Sequence, residues 1–261
     1  MAKIPKKFQD RVAQRLKHFQ TITASHRKRD VSEADTVTVI KDILADIFGY
    51  DKYDEVTSEY QIRGTFCDLA IKIGSKVRYL IEAKSAGTEL NESHLRQALQ
   101  YGASEGIEWV ILTNSIDWRV FRVVFGQPVS QEEVVSFSLA EMHHGDEEHL
   151  EKMFLLAREA ISSDVMAAYH ERAQLLNKYT IAQVLLSDSI ISNIRRDLRR
   201  MFDDLKVDKD QVYTLLHAEI IKREVLEGDK ATVAASKIKR ALKKLERSAE
   251  KNSKGAAAEA D

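Results

Sequence analysis

The first 50 residues place apolar side chains at helical spacing. In FQDRVAQRLKHFQTI, Phe8, Val12, Leu16 and Phe19 recur on one face. In VSEADTVTVIKDILADIFGYD, Ser32 stands where a helix cap is expected and Gly49 where the helix would stop. The pattern predicts two amphipathic helices in this part of the chain.

From Glu55 the hydrophobic period shortens to two, which predicts β-strands. EVTSEYQI is followed by TFCDLAIKI and, after a Gly74-Ser75 turn, by KVRYLIEAK, and we interpret the last two as a hairpin. A helix over ESHLRQALQYGASEG and strands over EWVILT and DWRVFRVV follow. Helices beside such strands predict an α/β domain with a mixed sheet.

The strand pattern ends near residue 127, and after GQP and a short EVVSFSL segment the period is helical. We therefore predict three parts: an α/β domain over 1–135 with a basic N-terminal helix, an all-α region over 136–250 and a flexible tail over 251–261.

Composition narrows the class of protein. Hydrophobic residues make up 44% and charged residues 31% of the chain, which is typical of a globular protein. There is no apolar run near the roughly 20 residues needed to cross a bilayer, no apolar signal-peptide core, and Cys67 is the single cysteine. We expect a cytoplasmic protein without a membrane partner.

Charge is distributed unevenly, although the formal net charge is only −1. Basic residues concentrate in the first 30 residues, where Arg27, Lys28 and Arg29 form a run, and again after residue 237. Such ends are typical of polyanion-binding proteins, but a solvated helix face explains them equally simply. A further group of arginines, which includes Arg195 and Arg199, could contact phosphate or pair with neighbouring aspartates.

The segment YLIEAK raises a chemical question, because Glu82 and Lys84 project from the same side of a strand that is otherwise apolar. In the predicted hairpin Asp68 lies approximately opposite Leu80 to Glu82. Two neighbouring carboxylates repel unless a cation lies between them, and with a backbone carbonyl they suit Mg²⁺. Such an ion activates water for phosphate ester hydrolysis, and Lys84 could orient or deprotonate that water. An exposed salt pair worth about 0–1 kcal/mol is the simpler alternative.

An Asp followed, about one hairpin later, by Glu-x-Lys on a strand resembles the PD-(D/E)xK nuclease superfamily. The ordered segments SEADTVTVIKDILADIFGYD, IRGTFCDLAIKIGSKVRYLIEAK, LRQALQYG and EWVILTNSIDWRVFRV resemble the N-terminal nuclease domain of type I restriction enzyme R subunits. The resemblance covers roughly residues 30–125. It implies a restriction-endonuclease-like fold, a mixed sheet flanked by helices.

The resemblance also implies roles for individual residues. Asp68, Glu82 and the backbone carbonyl of Ala83 would bind the metal, with Lys84 as the catalytic lysine. Glu33, in SEADT, would be the helix glutamate that reaches the metal or its water. The implied catalytic glutamine is Gln97, and Tyr101 lies nearby in the same segment.

The chain departs from the family pattern in three places. Ser32, Asp35 and Val37 replace the usual Thr, Asn and Arg around Glu33, and Gly64-Thr65 replaces the usual lead-in to Asp68. No G-x-x-x-x-G-K-[ST] phosphate-binding loop occurs, so we expect no ATP-driven DNA translocation by this chain.

These patterns together predict a Mg²⁺-dependent DNA endonuclease, with Mn²⁺ as a substitute ion, that acts in restriction of foreign DNA. The alternative is a nucleic-acid-binding subunit that is catalytically silent or depends on a partner. DNA is the expected partner, and Arg27, Lys28, Arg29, Tyr101, Arg195 and Arg199 are the candidate contacts. A homodimer and a separate specificity or motor subunit remain open.

The HHGDEEH cluster with His143 and His149 could bind a transition metal, but a solvated linker fits it better.

Overall fold

A computed structural model describes residues 3–62, 65–202 and 204–258, and it describes side chains for these residues except 61, 62, 65, 66 and 246–258. The chain forms two compact units, residues 1–168 and residues 169–261. Gly64, one of the departures noted above, lies outside the described residues.

The first unit contains a mixed six-stranded sheet in the order β1-β2-β3-β4-β5-β6. Its strands are β1 (Val56–Ile62), β2 (Thr65–Ile73), β3 (Lys76–Ala83), β4 (Trp109–Thr113), β5 (Asp117–Val124) and β6 (Ser130–Ser138). Strands β3 and β4 are parallel and every other neighbouring pair is antiparallel. The predicted β2–β3 hairpin is confirmed, and Gly74 takes the positive φ of 61° that its turn requires.

Strand β6 extends the sheet beyond the limit that the hydrophobic pattern predicted. It contains all of the EVVSFSL segment except the final Leu139 and pairs with β5 along its whole length, from Val124↔Ser130 to Asp117↔Ser138. Only Val135 and Phe137 of this strand are buried, because an edge strand covers the core with few side chains. A strand with so few buried positions gives a weak periodic signal.

Five helices of this unit flank the sheet. They are α1 (Lys6–Arg29), α2 (Glu33–Asp46), α3 (Arg96–Glu105), α4 (Glu147–Phe154) and α5 (Arg158–Ile161). Of these, α2, α3 and α4 contact the strands directly. A 3-10 turn, Glu92–Leu95, precedes α3 and completes the crossover that a parallel β3–β4 pair needs. The predicted cap of α2 is confirmed, since Ser32 Oγ accepts a hydrogen bond from the Asp35 N–H at 3.2 Å.

The core of the first unit lies against the sheet. Leu80, Val110 and Phe121 pack with α3 side chains in one buried cluster. Trp118 is fully buried and contacts Phe48 edge-to-face, with ring centroids 5.4 Å apart. Trp109 is also buried.

Helix α6 (Val165–Leu175) runs across the division between the two units. The helices that follow are α7 (Lys178–Leu185), α8 (Asp188–Met201), α9 (Lys209–Leu215), α10 (Arg223–Leu226) and α11 (Asp229–Ala258), and a π-helical turn, Leu216–Ile220, joins α9 to α10. Ile191, Val212 and Leu216 form a small buried cluster. The predicted C-terminal helical region is therefore present.

The predicted region 136–250 also contains α4 and α5, which belong to the first compact unit. Helix α11 continues to Ala258, into the segment predicted to be a flexible tail, and residues 259–261 lie outside the described part of the chain. The flexibility of that tail stays a prediction. Within the described residues, every helix is either too short or too polar to span a membrane.

Candidate functional site

The β2–β3 hairpin brings two carboxylates together. Ala70 on β2 pairs with Leu80 on β3, and the same register, continued by two residues on each strand, sets Asp68 beside Glu82. Because side chains alternate along a strand, both carboxylates share the sheet face of Ala70 and Leu80. The predicted proximity of Asp68 to Glu82 therefore follows from the observed pairing.

Asp68 is anchored to the neighbouring strand through its side chain. Its Oδ2 accepts a hydrogen bond from the Ala83 N–H at 2.7 Å. Burial raises the pKa of Asp68, and the Ala83 hydrogen bond and the Lys84 charge only partly offset that effect. The carboxylate is therefore held in place at an energetic cost, which a nearby cation would reduce.

Glu82 shares this environment, and its side chain is only 14% exposed. Burial raises the pKa of Glu82; the hydrogen bond from Lys84 opposes the rise and the charge of Asp68 adds to it. Asp68 thus destabilises the ionised form of Glu82, and Glu33 has the same effect on both acids, so the end of the hairpin is electrostatically negative.

Lys84 supplies the positive charge at this point. Its Nζ donates to Glu82 Oε1 at 2.8 Å and to Ala83 O at 2.7 Å. Burial alone would lower the pKa of Lys84, but the hydrogen bond and the charge of Glu82, with further carboxylates nearby, outweigh burial and leave the pKa raised. The side chain is therefore an ammonium at neutral pH, and it acts as a hydrogen-bond donor.

Glu33 reaches the same ammonium from helix α2. Its Oε2 lies 3.4 Å from Lys84 Nζ, and its side chain is 48% exposed. In the part of the chain that the structure describes, no group of three or more His, Cys, Asp or Glu side chains is arranged to hold a metal ion. Glu33 thus contacts the lysine, and direct coordination of a metal by Glu33 stays a prediction.

Thr36 joins α2 to the segment after β3, a role that the sequence interpretation missed. Its buried Oγ1 donates to Ser32 O at 2.9 Å and accepts from the Ala86 N–H at 3.2 Å. The hydroxyl therefore fixes the start of the helix that carries Glu33 relative to the residues that follow Lys84. The threonine of SEADT was visible in the sequence, but nothing in its spacing identified Ala86 as its partner.

The basic end of α1 lies beside the same segment. Arg27, Lys28 and Arg29 are exposed in its last turn, and Asp30 forms the C-cap in a left-handed conformation with φ 48°. Asp30 Oδ1 is so close to Gly87 that a Cβ added to this glycine would lie 2.9 Å from it. Three of the predicted phosphate contacts are therefore carried by a turn that abuts the segment following Lys84.

Gln97 and Tyr101 are one helical turn apart on α3 and bind each other. Gln97 Nε2 donates to the Tyr101 hydroxyl at 2.6 Å. Tyr101 is only 9% exposed and packs in the core cluster beneath α3. The roles predicted for Gln97 in catalysis and for Tyr101 in DNA contact stay predictions, and the tyrosine ring itself serves the core.

The arginines predicted to contact DNA in the helical region lie on α8. Arg199 donates to Val207 O at 2.8 Å, and Arg195 Nε is buried without a hydrogen-bond partner among the described residues. Their neighbours Arg196 and Arg200 lie 3.6 Å and 3.9 Å from Asp197 Oδ1. The alternative of pairing with aspartate is thus realised for those two neighbours.

The histidine cluster has a local structural role. Asp146 caps α4 by accepting from the His149 N–H at 3.0 Å, and His149 Nδ1 accepts from the His143 N–H at 3.2 Å. Among the described residues, no group of three or more His, Cys, Asp or Glu side chains is placed to hold a metal ion, in this cluster or elsewhere. The linker interpretation of this segment therefore fits the contacts that the structure shows.

Cys67, which precedes Asp68 in the sequence, is buried. Its Sγ–H donates to Ile81 O at 3.2 Å, and burial raises the pKa of the thiol to about 12. A thiol with so high a pKa is a poor nucleophile at neutral pH. Cys67 therefore serves the packing of the hairpin.

Comparisons with protein-family models, curated proteins and solved structures give no match to this chain.

Proposed function

We propose that the chain is a metal-dependent endonuclease that hydrolyses DNA phosphodiester bonds and has a restriction-endonuclease-like fold. The observation that carries the proposal is the convergence of Asp68, Glu82, Lys84 and the Ala83 carbonyl at the end of one hairpin. Restriction of foreign DNA is the biological role that the resemblance to type I R subunits favours.

The oxygen donors at this point have the chemistry that Mg²⁺ prefers. Two carboxylates and a backbone carbonyl are hard ligands, and Mg²⁺ sites commonly take one or two carboxylates and complete their shell with water and substrate phosphate. A cation there would also stabilise the ionised forms of both acids, whose pKa values are raised first by burial and then by the charges of neighbouring carboxylates. Asp68, Glu82 and the Ala83 carbonyl would hold the ion, with Mn²⁺ as a substitute.

A divalent ion, when bound, supplies Lewis-acid stabilisation of the charge that develops on the phosphate. The protein's own contribution is positional. Asp68 is fixed by the Ala83 N–H, and the backbone of Lys84 is fixed by its N–H bond to Thr113 O at 2.9 Å. Because these atoms are held by two different strands, Asp68 and the backbone of Lys84 are fixed before a substrate binds.

The contacts of Lys84 favour one of its two candidate roles, because its Nζ is the donor in the hydrogen bonds to Glu82 Oε1 and Ala83 O. A lysine that stays protonated cannot take a proton from the attacking water at neutral pH. It can orient that water and stabilise the negative charge on the phosphate, because an ammonium offers three hydrogen-bond donors. We therefore assign Lys84 to charge stabilisation.

Arg27, Lys28 and Arg29 would hold the DNA backbone at the rim of the site. They are exposed cations in a turn that abuts Gly87, three residues after Lys84. Contacts of this kind bind phosphate without reading bases, so they would position the duplex and make affinity depend on salt. Arg195 and Arg199 are further candidate contacts on the second unit.

Cleavage of supercoiled plasmid and of linear duplex with Mg²⁺ or Mn²⁺ tests the proposal. Asp68→Ala and Lys84→Ala should abolish cleavage, whereas Lys41→Ala, which removes a lysine bonded to Ser58, should not. Cleavage that survives both site substitutions would refute the assignment. DNA binding without any cleavage would instead favour the partner-dependent or catalytically silent subunit.

A further inference from the structure

The ammonium of Lys84 uses the oxygens that the proposed metal site needs. Its Nζ lies 2.7 Å from Ala83 O and 2.8 Å from Glu82 Oε1, and Glu33 Oε2 lies 3.4 Å away. An ammonium has three N–H donors, so these three oxygens account for its full capacity. The side chain is 20% exposed, which leaves little water to share the charge.

We propose that Lys84 is an internal competitor for the divalent ion and thereby determines the metal affinity of the site. The inference rests on the proposed function. A divalent ion and an ammonium cannot use the same lone pairs of Glu82 and Ala83, and at contact distance they repel each other. Metal binding at these oxygens is therefore opposed for as long as the Lys84 ammonium donates to them.

This exchange would couple the binding of the metal ion to the release of the Lys84 ammonium, and catalysis needs both steps. Lys84 Nζ carries a full charge, and its backbone is fixed through Thr113 O, so only its side chain can move when the oxygens are released. Once freed from Glu82 and Ala83, the ammonium can bind an anionic group at the same place. The site would then acquire the metal and present its phosphate-binding cation in one event.

The exchange also predicts how the protein behaves without divalent ions. The ammonium donates a hydrogen bond to Glu82 at 2.8 Å, and its positive charge stabilises the ionised carboxylates of both Glu82 and Asp68. Its removal leaves two partly buried negative charges with no cation hydrogen-bonded to Glu82, which destabilises the fold and strengthens the attraction for any divalent cation. Loss of Lys84 should therefore lower stability in a chelator and tighten metal binding.

Calorimetric titration of the full chain with Mn²⁺ tests the inference. Lys84→Met keeps the length of the side chain and removes its charge, and Lys41→Met is the matched control on α2. We expect the Kd for Mn²⁺ to fall on the order of tenfold in Lys84→Met, equivalent to one decade of affinity. Lys41→Met should bind as the unchanged protein does.

Thermal unfolding gives a second readout that does not depend on activity. In EDTA, Lys84→Met should melt below the unchanged protein, and Mn²⁺ should raise its Tm by the larger amount. If Lys84→Met does not fold, Lys84→Gln removes the same charge while keeping a polar end. An equal or weaker affinity for Mn²⁺ in the folded variant would overturn the inference.

The outcomes separate the inference from the proposed function. If the unchanged protein binds Mn²⁺ and cleaves DNA but Lys84→Met binds no more tightly, the competition is refuted and the nuclease assignment stands. If neither protein binds Mn²⁺, or if Asp68→Asn binds it as well as the unchanged protein does, the proposed metal site is refuted and the competition with it.

Discussion

Asp68 and Ala83 are joined across the β2–β3 hairpin by a hydrogen bond from the Ala83 N–H to Asp68 Oδ2, 2.7 Å long. Through this bond Oδ2 holds the two strands together, and the other carboxylate oxygen would serve the proposed metal site. Structural and chemical contributions of this residue can therefore be separated by substitution.

Asp68→Asn keeps an acceptor for the Ala83 N–H and removes the charge that repels Glu82. We expect its Tm to equal or exceed that of the unchanged protein, while plasmid cleavage falls by on the order of a hundredfold or more. Asp68→Ala leaves the N–H without its acceptor and should lose about 1–3 kcal/mol of unfolding free energy. Normal cleavage by Asp68→Asn would contradict the metal-ligand role.

Thr36→Val removes the hydroxyl that accepts from the Ala86 N–H and changes the shape of the side chain little. Because the Ala86 N–H is buried, its loss of a partner should cost about 1–3 kcal/mol in urea unfolding. Thr38→Val is the control, since exposed Thr38 only donates to Ala34 O within its own helix. Thr38→Val should change the free energy of unfolding by no more than about 0.5 kcal/mol. Equal effects of the two substitutions would contradict a stabilising hydrogen bond between Thr36 and Ala86.

Glu159 accepts two hydrogen bonds from Arg11, 2.7 Å and 2.9 Å long. Burial alone would raise the pKa of Glu159, but the bonds from Arg11 outweigh it and the pKa lies below its ordinary 4.5. A carboxyl whose pKa is lower in the folded state stabilises the fold above its unfolded pKa, and that stabilisation is lost as pH falls through the folded value.

The stability difference between the unchanged protein and Glu159→Gln should therefore be largest near neutral pH. It should shrink as the pH falls below the ordinary value of 4.5. Urea unfolding at several pH values measures this difference. A difference that stays constant down to the acid range would mean that the Arg11–Glu159 pair does not contribute through charge.

Gly102 lets α3 approach the sheet closely. A Cβ at this position would lie 2.9 Å from Ile107 O and 3.0 Å from Val123 Cγ2, so a backbone atom would have to move. Gly102→Ala should destabilise the protein by about 1–3 kcal/mol despite the better helix propensity of alanine. Gly145→Ala, which meets no atom within 4 Å, is the control for urea unfolding and should be nearly neutral.

Arg27 and Arg29 should contribute to DNA affinity through phosphate contacts. Arg27→Glu combined with Arg29→Glu should weaken binding of unrelated duplexes alike, and each lost contact should reduce the slope of log K against log salt by about 0.9. Lys6→Glu with Lys17→Glu makes the same charge change elsewhere on α1. Fluorescence anisotropy across a salt series measures the DNA affinity and its salt dependence for both double substitutions. Equal losses of affinity would show that net charge alone, and not the position of Arg27 and Arg29, determines DNA binding.

The local elements of the site followed from the sequence because short-range physics determines them. Alternation of apolar residues and the Gly74-Ser75 turn predicted the hairpin and the approach of Asp68 to Glu82. Ser32 was recognisable as a cap because a side-chain oxygen there satisfies an N–H of its own helix. Each of these contacts depends on residues close in the chain or on a single turn.

Tertiary structure alone decided which partners the charged side chains choose. Lys84 reaches Glu33 because α2 packs beside β3, and the Thr36–Ala86 bond spans 50 residues. Strand β6 joined the sheet although its pattern was weak, since pairing with β5 satisfies its backbone. Contacts between distant residues depend on how the elements pack, and no periodicity along the chain encodes that arrangement.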